Sequence, residues 1–570
     1  MQELSRSQRA RAAIREFKTI TDAMAIRGFY RPSGKFGKTL SGCLRELSPE
    51  IYGTMNDIRV VELKGLEYVI DRLPPGIEEA TKIILTDEDQ FEGTPFKEIM
   101  PLKRRRTSYR ISAKEFCFII SRGTSEIYDI ITHMTFLNVE AGKLFNRLQD
   151  DNGDPRMEFQ ELEKVVKSEV PLSETELDSA LWNLSIILGR PYHETRDSYE
   201  YFEKNRKEKG SNNGIFSIIY HLAKRIESEH RSMDNALVIY LTPSLMKIIG
   251  HQRYGRVWAS DIKEKLMALK LETRPLHIVS ANLHSVLNVI YGFAAVGRKV
   301  REMDEKDLYP FFIHLKDKGD EIANYAANHG WYRLQDRSGT NIDCQIIDTA
   351  KLESTVFHPG IPFDADRIAR EQPVILVMDY AFGAQAFEVM EQLLKPIATE
   401  GGKIPLNIGS ISVMGKAGIL TGEKGDIMLA TAHVCEGTSD NYLFDNDLGV
   451  GDFDPDVNVF SGPMATVLGT SLQNRDVLEM FQSDWQAVGL EMEGGYYQKA
   501  INASIIKGNI PRETKVRYAY YASDNPLKTG NTLAAGAMGV EGVKPTYMIT
   551  KVILEKILGK PQDKKSCTPS

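Results

Sequence analysis

The sequence predicts an α/β fold in its second half, preceded by a mainly helical N-terminal domain. Three observations carry this expectation. The chain has 570 residues and is 42% hydrophobic, too long for one ordinary core and apolar enough to fold throughout, so two domains are expected. From residue 1 to about 265, apolar residues recur at spacings of three and four, the period of helices with one buried face. From about Leu276, short apolar runs alternate with helical segments, as in a sheet crossed by helices.

In chain order, Met1 to Phe17 carries basic residues with no apolar run behind them, so it does not read as a secretory signal. No stretch is long and apolar enough for a bilayer span. The net charge of -7 argues against a surface built to hold nucleic-acid phosphates. Cys43, Cys117, Cys344, Cys435 and Cys567 are scattered and lack CxxC spacing, which argues against a zinc site or a disulfide framework. A cytoplasmic protein with no nucleic-acid or membrane partner, no metal and no cofactor is the expectation.

Within the first half, Thr124 to Gln149 and Glu174 to Leu188 read as helices, and Lys207 to Gly214 reads as a polar link. The basic run Lys103-Arg104-Arg105-Arg106 reads as a solvated loop, with a subunit contact or an anion site as the alternatives. Asp150 to Glu161 places oxygen ligands at its first, third and fifth positions and a glutamate at its twelfth, the spacing of an EF-hand calcium loop. Its sixth position is Pro155, where a sharp turn needs glycine. A polar helix–turn–helix link is therefore the favoured reading.

The second half contributes the apolar runs Leu276 to Val279, Val374 to Met378, Leu406 to Met414, Asp426 to Ala430 and Arg517 to Ala522. Ligands of open α/β sheets bind beyond the strand ends, so the segments following these runs are where chemistry is sought. Val413-Met414-Gly415-Lys416-Ala417-Gly418 reads as a strand entering a glycine turn that lets a ligand approach the backbone, followed by Gly425-Asp426 and a further strand. In Glu491-Met492-Glu493-Gly494-Gly495, two carboxylates precede a helix. They either cap it or accept both vicinal hydroxyls of a ribose. Arg517 to Leu527 is an aromatic strand that delivers Ser523-Asp524 to a turn, where a carboxyl group can share a proton with a substrate.

In this order, the three segments resemble the purine nucleoside phosphorylase and nucleosidase superfamily, with AMP nucleosidases the nearest in pattern. Val374 to Gly383, a strand entering a glycine loop with a helix through Leu394, agrees. The resemblance covers roughly Leu276 to Leu558. It implies a phosphorylase-type central mixed sheet flanked by helices, over residues 266–559, after a helical domain over 1–265 and before a disordered tail over 560–570. It further implies a homo-oligomer acting on a small-molecule purine nucleotide or nucleoside, with phosphate as a possible co-substrate.

Carried over by motif, Glu493 matches the ribose-binding glutamate and Met492 the residue under the sugar. Asp524, beside Ser523, matches the aspartate that protonates the departing purine. Gly415 to Gly418 would line the sugar or phosphate side, with Glu491 alongside. The implied reaction is dissociative, with positive charge building on the sugar. Two positions depart from the pattern. Ser280 to Ser285 has neither the glutamate that orients water in nucleosidases nor the glycine and arginine that hold phosphate in phosphorylases. His284 is the residue there that can activate water or contact phosphate, and it can equally be an ordinary helix histidine. Lys416, between the paired glycines, either holds a nucleotide phosphate or points to solvent. Hydrolysis of AMP or a related purine nucleotide is the favoured activity. Phosphorolysis, or nucleotide sensing without catalysis, are the alternatives.

Overall fold

The computed structural model describes residues 4–560 except 90, 92, 105, 151–153, 169, 249–252, 297–306 and 529–537. The contacts divide the chain into two compact units, the first formed by Met1–His251 with Gly469–Val477, the second by Gln252–Leu468 with Leu478–Ser570. The second unit thus begins ahead of residue 265, because helix Arg253–Ala268 packs against helix Gln385–Leu393 of that unit.

The first unit has the expected helices, including Gly123–Phe145 and Glu174–Leu188. The second of these opens on a capping box, in which Ser173 and Glu176 satisfy each other's backbone amides. A six-stranded sheet accompanies them, which the helical reading did not anticipate. At its centre Lys82–Thr86 lies parallel to both Val238–Leu241 and Glu115–Ile119. None of the six strands exceeds five residues, too short for a clear period-two signal between long helices.

Arg106, at the end of the basic run, departs from the solvated reading, whereas Lys103 is exposed. Arg106 is 2% exposed and pairs with Glu126 at 3.2 Å and Asp129 at 2.7 Å, while Lys103 reaches Asp71 at 2.7 Å. A buried guanidinium is tolerated because its donors meet carboxylates. Of the EF-hand-like segment, residues 151–153 lie outside the described residues. On either side, Gln149 bridges Pro155 and Glu161 pairs with Lys164 at 2.6 Å. The tail over residues 561–570 also lies outside the described residues.

The second unit is built on a ten-stranded mixed sheet flanked by helices. Each of the five expected apolar runs lies in or overlaps a strand: Leu276–Ser280, Val374–Met378, Ile408–Ile419, Ile427–Cys435 and Lys515–Asp524. Lys515–Asp524 pairs with both Ile408–Ile419 and Ile427–Cys435. The ring closes through Val459–Thr466 and Gly489–Glu491 back to Ile408–Ile419. Closure removes free strand edges. It also explains why so many residues of these strands are buried, since both faces of the ring are covered.

The glycine pair lies inside the twelve-residue strand Ile408–Ile419 rather than in a turn. The chain turns later, over Leu420 to Gly425. What the glycines mark is a break in register between Ala417 and Gly418, a local bulge of the kind that re-aims a strand beside a site.

Candidate active site

Four adjacent strands, Val374–Met378, Leu276–Ser280, Ile408–Ile419 and Lys515–Asp524, run parallel. Their carboxyl ends carry the sequence-selected residues, where ligands of such sheets bind. The strands end at two levels. Ser280 stands opposite Val413 and Asp524 opposite Gly418, about 16 Å further along at the usual strand rise. Asp379 and His284 belong to the segments that continue beyond the lower ends, and Asp524 closes the upper one. Tyr380 lies between them, its ring against Gly415.

Gly418 pairs with Leu490 on one side and Asp524 on the other. The Glu-Met-Glu and Ser-Asp segments are thus neighbours across a single strand, although more than twenty residues separate them in the chain. The Asp524 carboxyl is 3% exposed. Its Oδ1 accepts from the Ser523 hydroxyl, which also reaches the Ala417 carbonyl at 3.2 Å. Its Oδ2 is buried and meets no hydrogen-bond donor among the described residues. Burial raises the Asp524 pKa, and the Ser523 hydrogen bond and the charge of Lys416 offset this in part. The result is a carboxyl group that favours its protonated form more than a free one does.

The two glutamates of the motif differ. Glu493 stands at the N-cap position of helix Gly494–Ile506, without a side-chain capping bond, and is partly exposed. Its Oε1 accepts from the Gly383 amide at 2.9 Å, which fixes the loop after Val374–Met378 against it. Glu491 is sealed inside the ring. It accepts from the Thr466 hydroxyl and from the amides of Glu493 and Gly494. His433 Nδ1 stands 3.4 Å from it, at ion-pair distance but without hydrogen-bond geometry. Burial pushes the Glu491 pKa up, yet His433, the Gly494 amide and Thr466 outweigh burial and hold it below the ordinary value. With its oxygens committed inward, Glu491 positions the Glu493 turn and offers no oxygen to a ligand. Any side chain at residue 494 would collide with the His433 ring and the Tyr520 hydroxyl, so Gly494 is required for this packing.

Met492 is partly exposed beside Glu493 and Lys416 is exposed on its strand. His284 is the second residue of helix Leu283–Ala295, whose amides are capped by Asn282. Desolvation lowers the His284 pKa, and Asp379 partly restores it. Motif reading marked the loop ending at Gly383 but did not single out His433, Thr466 or Tyr380 as individual site residues. His433 sits within an apolar strand and its partner Glu491 is remote in sequence, so no local spacing marks it. Among the described residues, no group of three or more His, Cys, Asp or Glu is placed to hold a metal ion.

The chain belongs to a family of unknown function, DUF6909, whose model matches residues 38–303 and 311–559. No curated protein matches it. Among solved structures, it is similar to the 5'-methylthioadenosine/S-adenosyl homocysteine nucleosidase of Campylobacter jejuni. Identity there is 10%, over 50% of this chain and 98% of the other, with a TM-score of 0.30. The purine nucleoside phosphorylase of Toxoplasma gondii aligns at 16% identity over 50% of this chain and 91% of its own, with a TM-score of 0.26. Futalosine hydrolase of Helicobacter pylori aligns at 11% identity over 50% and 100%, also with a TM-score of 0.26.

Proposed function

We propose that the second unit cleaves the N-glycosidic bond of a purine nucleotide or nucleoside, with hydrolysis of AMP the preferred reaction. The observation that carries the reading is Asp524: a buried carboxyl at a strand end, one oxygen unpartnered, its pKa raised, and the Glu-Met-Glu segment one strand away. Asp524 gives its proton to the purine as the C1′–N bond breaks, so the base leaves neutral. The Glu493 carboxylate accepts from the ribose hydroxyls, Met492 supports the sugar, and Lys416 meets the phosphate. Water adds to C1′ and loses its proton to His284, whose lowered pKa keeps it neutral and able to accept.

The test is release of free base from AMP, adenosine and other purine ribosides, with and without inorganic phosphate, monitored by chromatography. Base release from AMP that is indifferent to phosphate is expected. Strict dependence on phosphate would replace hydrolysis by phosphorolysis. The second reading is a nucleotide sensor without catalysis, favoured by the engagement of Glu493 Oε1 by the Gly383 amide. Tight AMP binding with no base released from any substrate would establish it over the enzyme.

A further inference from the structure

The parallel strands that end at Asp524 begin at a second cavity. It lies where Leu276–Ser280, Ile408–Ile419 and Lys515–Asp524 start, its wall including His277, Gly409, Lys515 and Arg517, and its volume is about 1330 Å³. From Arg517 to Asp524 is about 23 Å at the usual strand rise, so this cavity is separate from the proposed cleavage site. We propose that it binds a nucleotide-sized anion, a phosphate group or groups attached to a flat organic body.

Charge is the first ground. Five cations line the cavity, Arg367, Lys515, Arg517, Lys556 and Lys560, against three carboxylates, Asp447, Asp452 and Glu555. Arg517 is 4% exposed and committed to internal partners. Its Nε and Nη2 bond Asp447 at 2.9 and 2.8 Å, and its Nη1 bonds the Ser410 hydroxyl at 2.8 Å. Lys556 is matched by Asp452 at 2.8 Å, and Lys551 approaches Glu555 at 3.7 Å. The excess positive charge therefore rests on the rim, where Lys515 stands 4.0 Å from its nearest carboxylate and Lys560 is exposed. A low-dielectric hollow with cationic walls concentrates anions.

Shape is the second ground. Gly449, Gly451 and Gly559 present bare backbone to the cavity, which lets a ligand approach the wall closely, although the Gly449 and Gly559 amides already donate to Asp452 and to the Glu555 carbonyl. At Gly409 a Cβ would come within 2.7 Å of the His277 ring, so only glycine leaves that ring uncovered. His277 bonds Ser410 at 2.7 Å. Burial, reinforced by the charges of Arg517 and Arg367, takes its pKa down to about 3, so it faces the cavity as a neutral ring. Pro362, Phe363 and Val552 supply an apolar flank. A bare inorganic anion would leave that flank unused, whereas a nucleoside polyphosphate engages both the flank and the cationic rim.

The test is calorimetric titration of the full chain with ATP and with sodium triphosphate, at fixed ionic strength. ATP is expected to bind saturably. The double variant Lys515→Ala/Lys560→Ala removes two exposed rim cations, so its fold is expected to be intact by circular dichroism and melting temperature. It is expected to weaken ATP binding about tenfold or more, the scale of lost charged contacts. Glu493→Gln, at the other end of the strands, is expected to leave this binding event in place. Triphosphate is expected to bind less tightly than ATP. Absence of saturable ATP binding, or an affinity unchanged in the double variant, would overturn the proposal. Loss of binding in Glu493→Gln alone would also overturn it, by moving the ligand to the other end. Triphosphate binding as tight as ATP would remove the organic body from the recognised ligand.

Discussion

The two ends of the same strands carry opposite chemistry. At the carboxyl ends stand carboxylates, Asp524 buried with a raised pKa and Glu493 at a helix N-cap position. At the amino ends stand cations and a neutral histidine. One sheet thus holds apart the proposed proton-donating site and the proposed anion-collecting one. A group at one end acts through what it touches there, because more than 20 Å of strand separates the two.

The sharpest way to break this contrast is Asp524→Asn, which keeps shape and removes the transferable proton. Turnover is expected to fall by about a hundred- to ten-thousand-fold, the usual contribution of a positioned acid, in steady-state assays of base release. Stability is expected to move the other way. A carboxyl with a raised folded pKa favours folding below its unfolded pKa, and that contribution is lost as pH rises through the folded value. Removing the ionisable group should therefore raise the melting temperature at neutral pH, with the gain fading in acid. A folded Asp524→Asn protein with wild-type turnover removes Asp524 as the acid.

Glu491→Gln separates the two glutamates. Removing a buried charge that holds two amides, a hydroxyl and a histidine should cost about 2–4 kcal/mol of stability, read by urea unfolding. The Glu491 pKa is lowered in the folded state, so its contribution is present above the ordinary carboxylate range and lost as pH falls through the folded value. Variant and wild type should therefore converge in acid. Glu493→Gln should barely change stability by the same measurement. It should weaken ribosides by about 1.5–3 kcal/mol, the worth of a hydrogen bond to a charged group, read as a rise in KM. Equal stability losses in the two variants would erase the distinction between them.

The smallest effect is expected from Lys416→Ala. If the lysine meets phosphate, AMP should lose about tenfold in kcat/KM while adenosine is nearly unchanged, on the scale of one charged contact. A parallel loss on both substrates would assign Lys416 to the strand rather than to the ligand.

The second unit was legible in sequence because its strands are apolar runs bounded by turns, and each overlaps a strand in the structure. The first unit's sheet was not, because strands of two to five residues leave no periodic trace. Arg106 reads as solvated in a run of basic residues, yet its carboxylate partners lie on a helix some twenty residues later. Gly415 and Gly418 read as a turn because glycine breaks strands, but ring closure carries the strand through them. The site followed the same logic. Asp524 and Glu493 lie in short motifs that sequence alone picks out, and these motifs flank a single strand in the structure. His433 and Thr466 act across the ring and have no local signature.

One feature of the first unit bears on how the chain is made. Its nine-residue segment Gly469–Val477 gives Asn474, which bonds the Leu47 carbonyl at 2.6 Å, and Thr470, which bonds the Tyr68 hydroxyl at 2.9 Å. On the ribosome this segment is synthesised roughly 220 residues after His251. At about 5–20 residues per second that is a wait of roughly 10–45 s. During that interval Leu47 and Tyr68 face the cell without their partners, and the N-terminal unit is completed only as the C-terminal one nears its end.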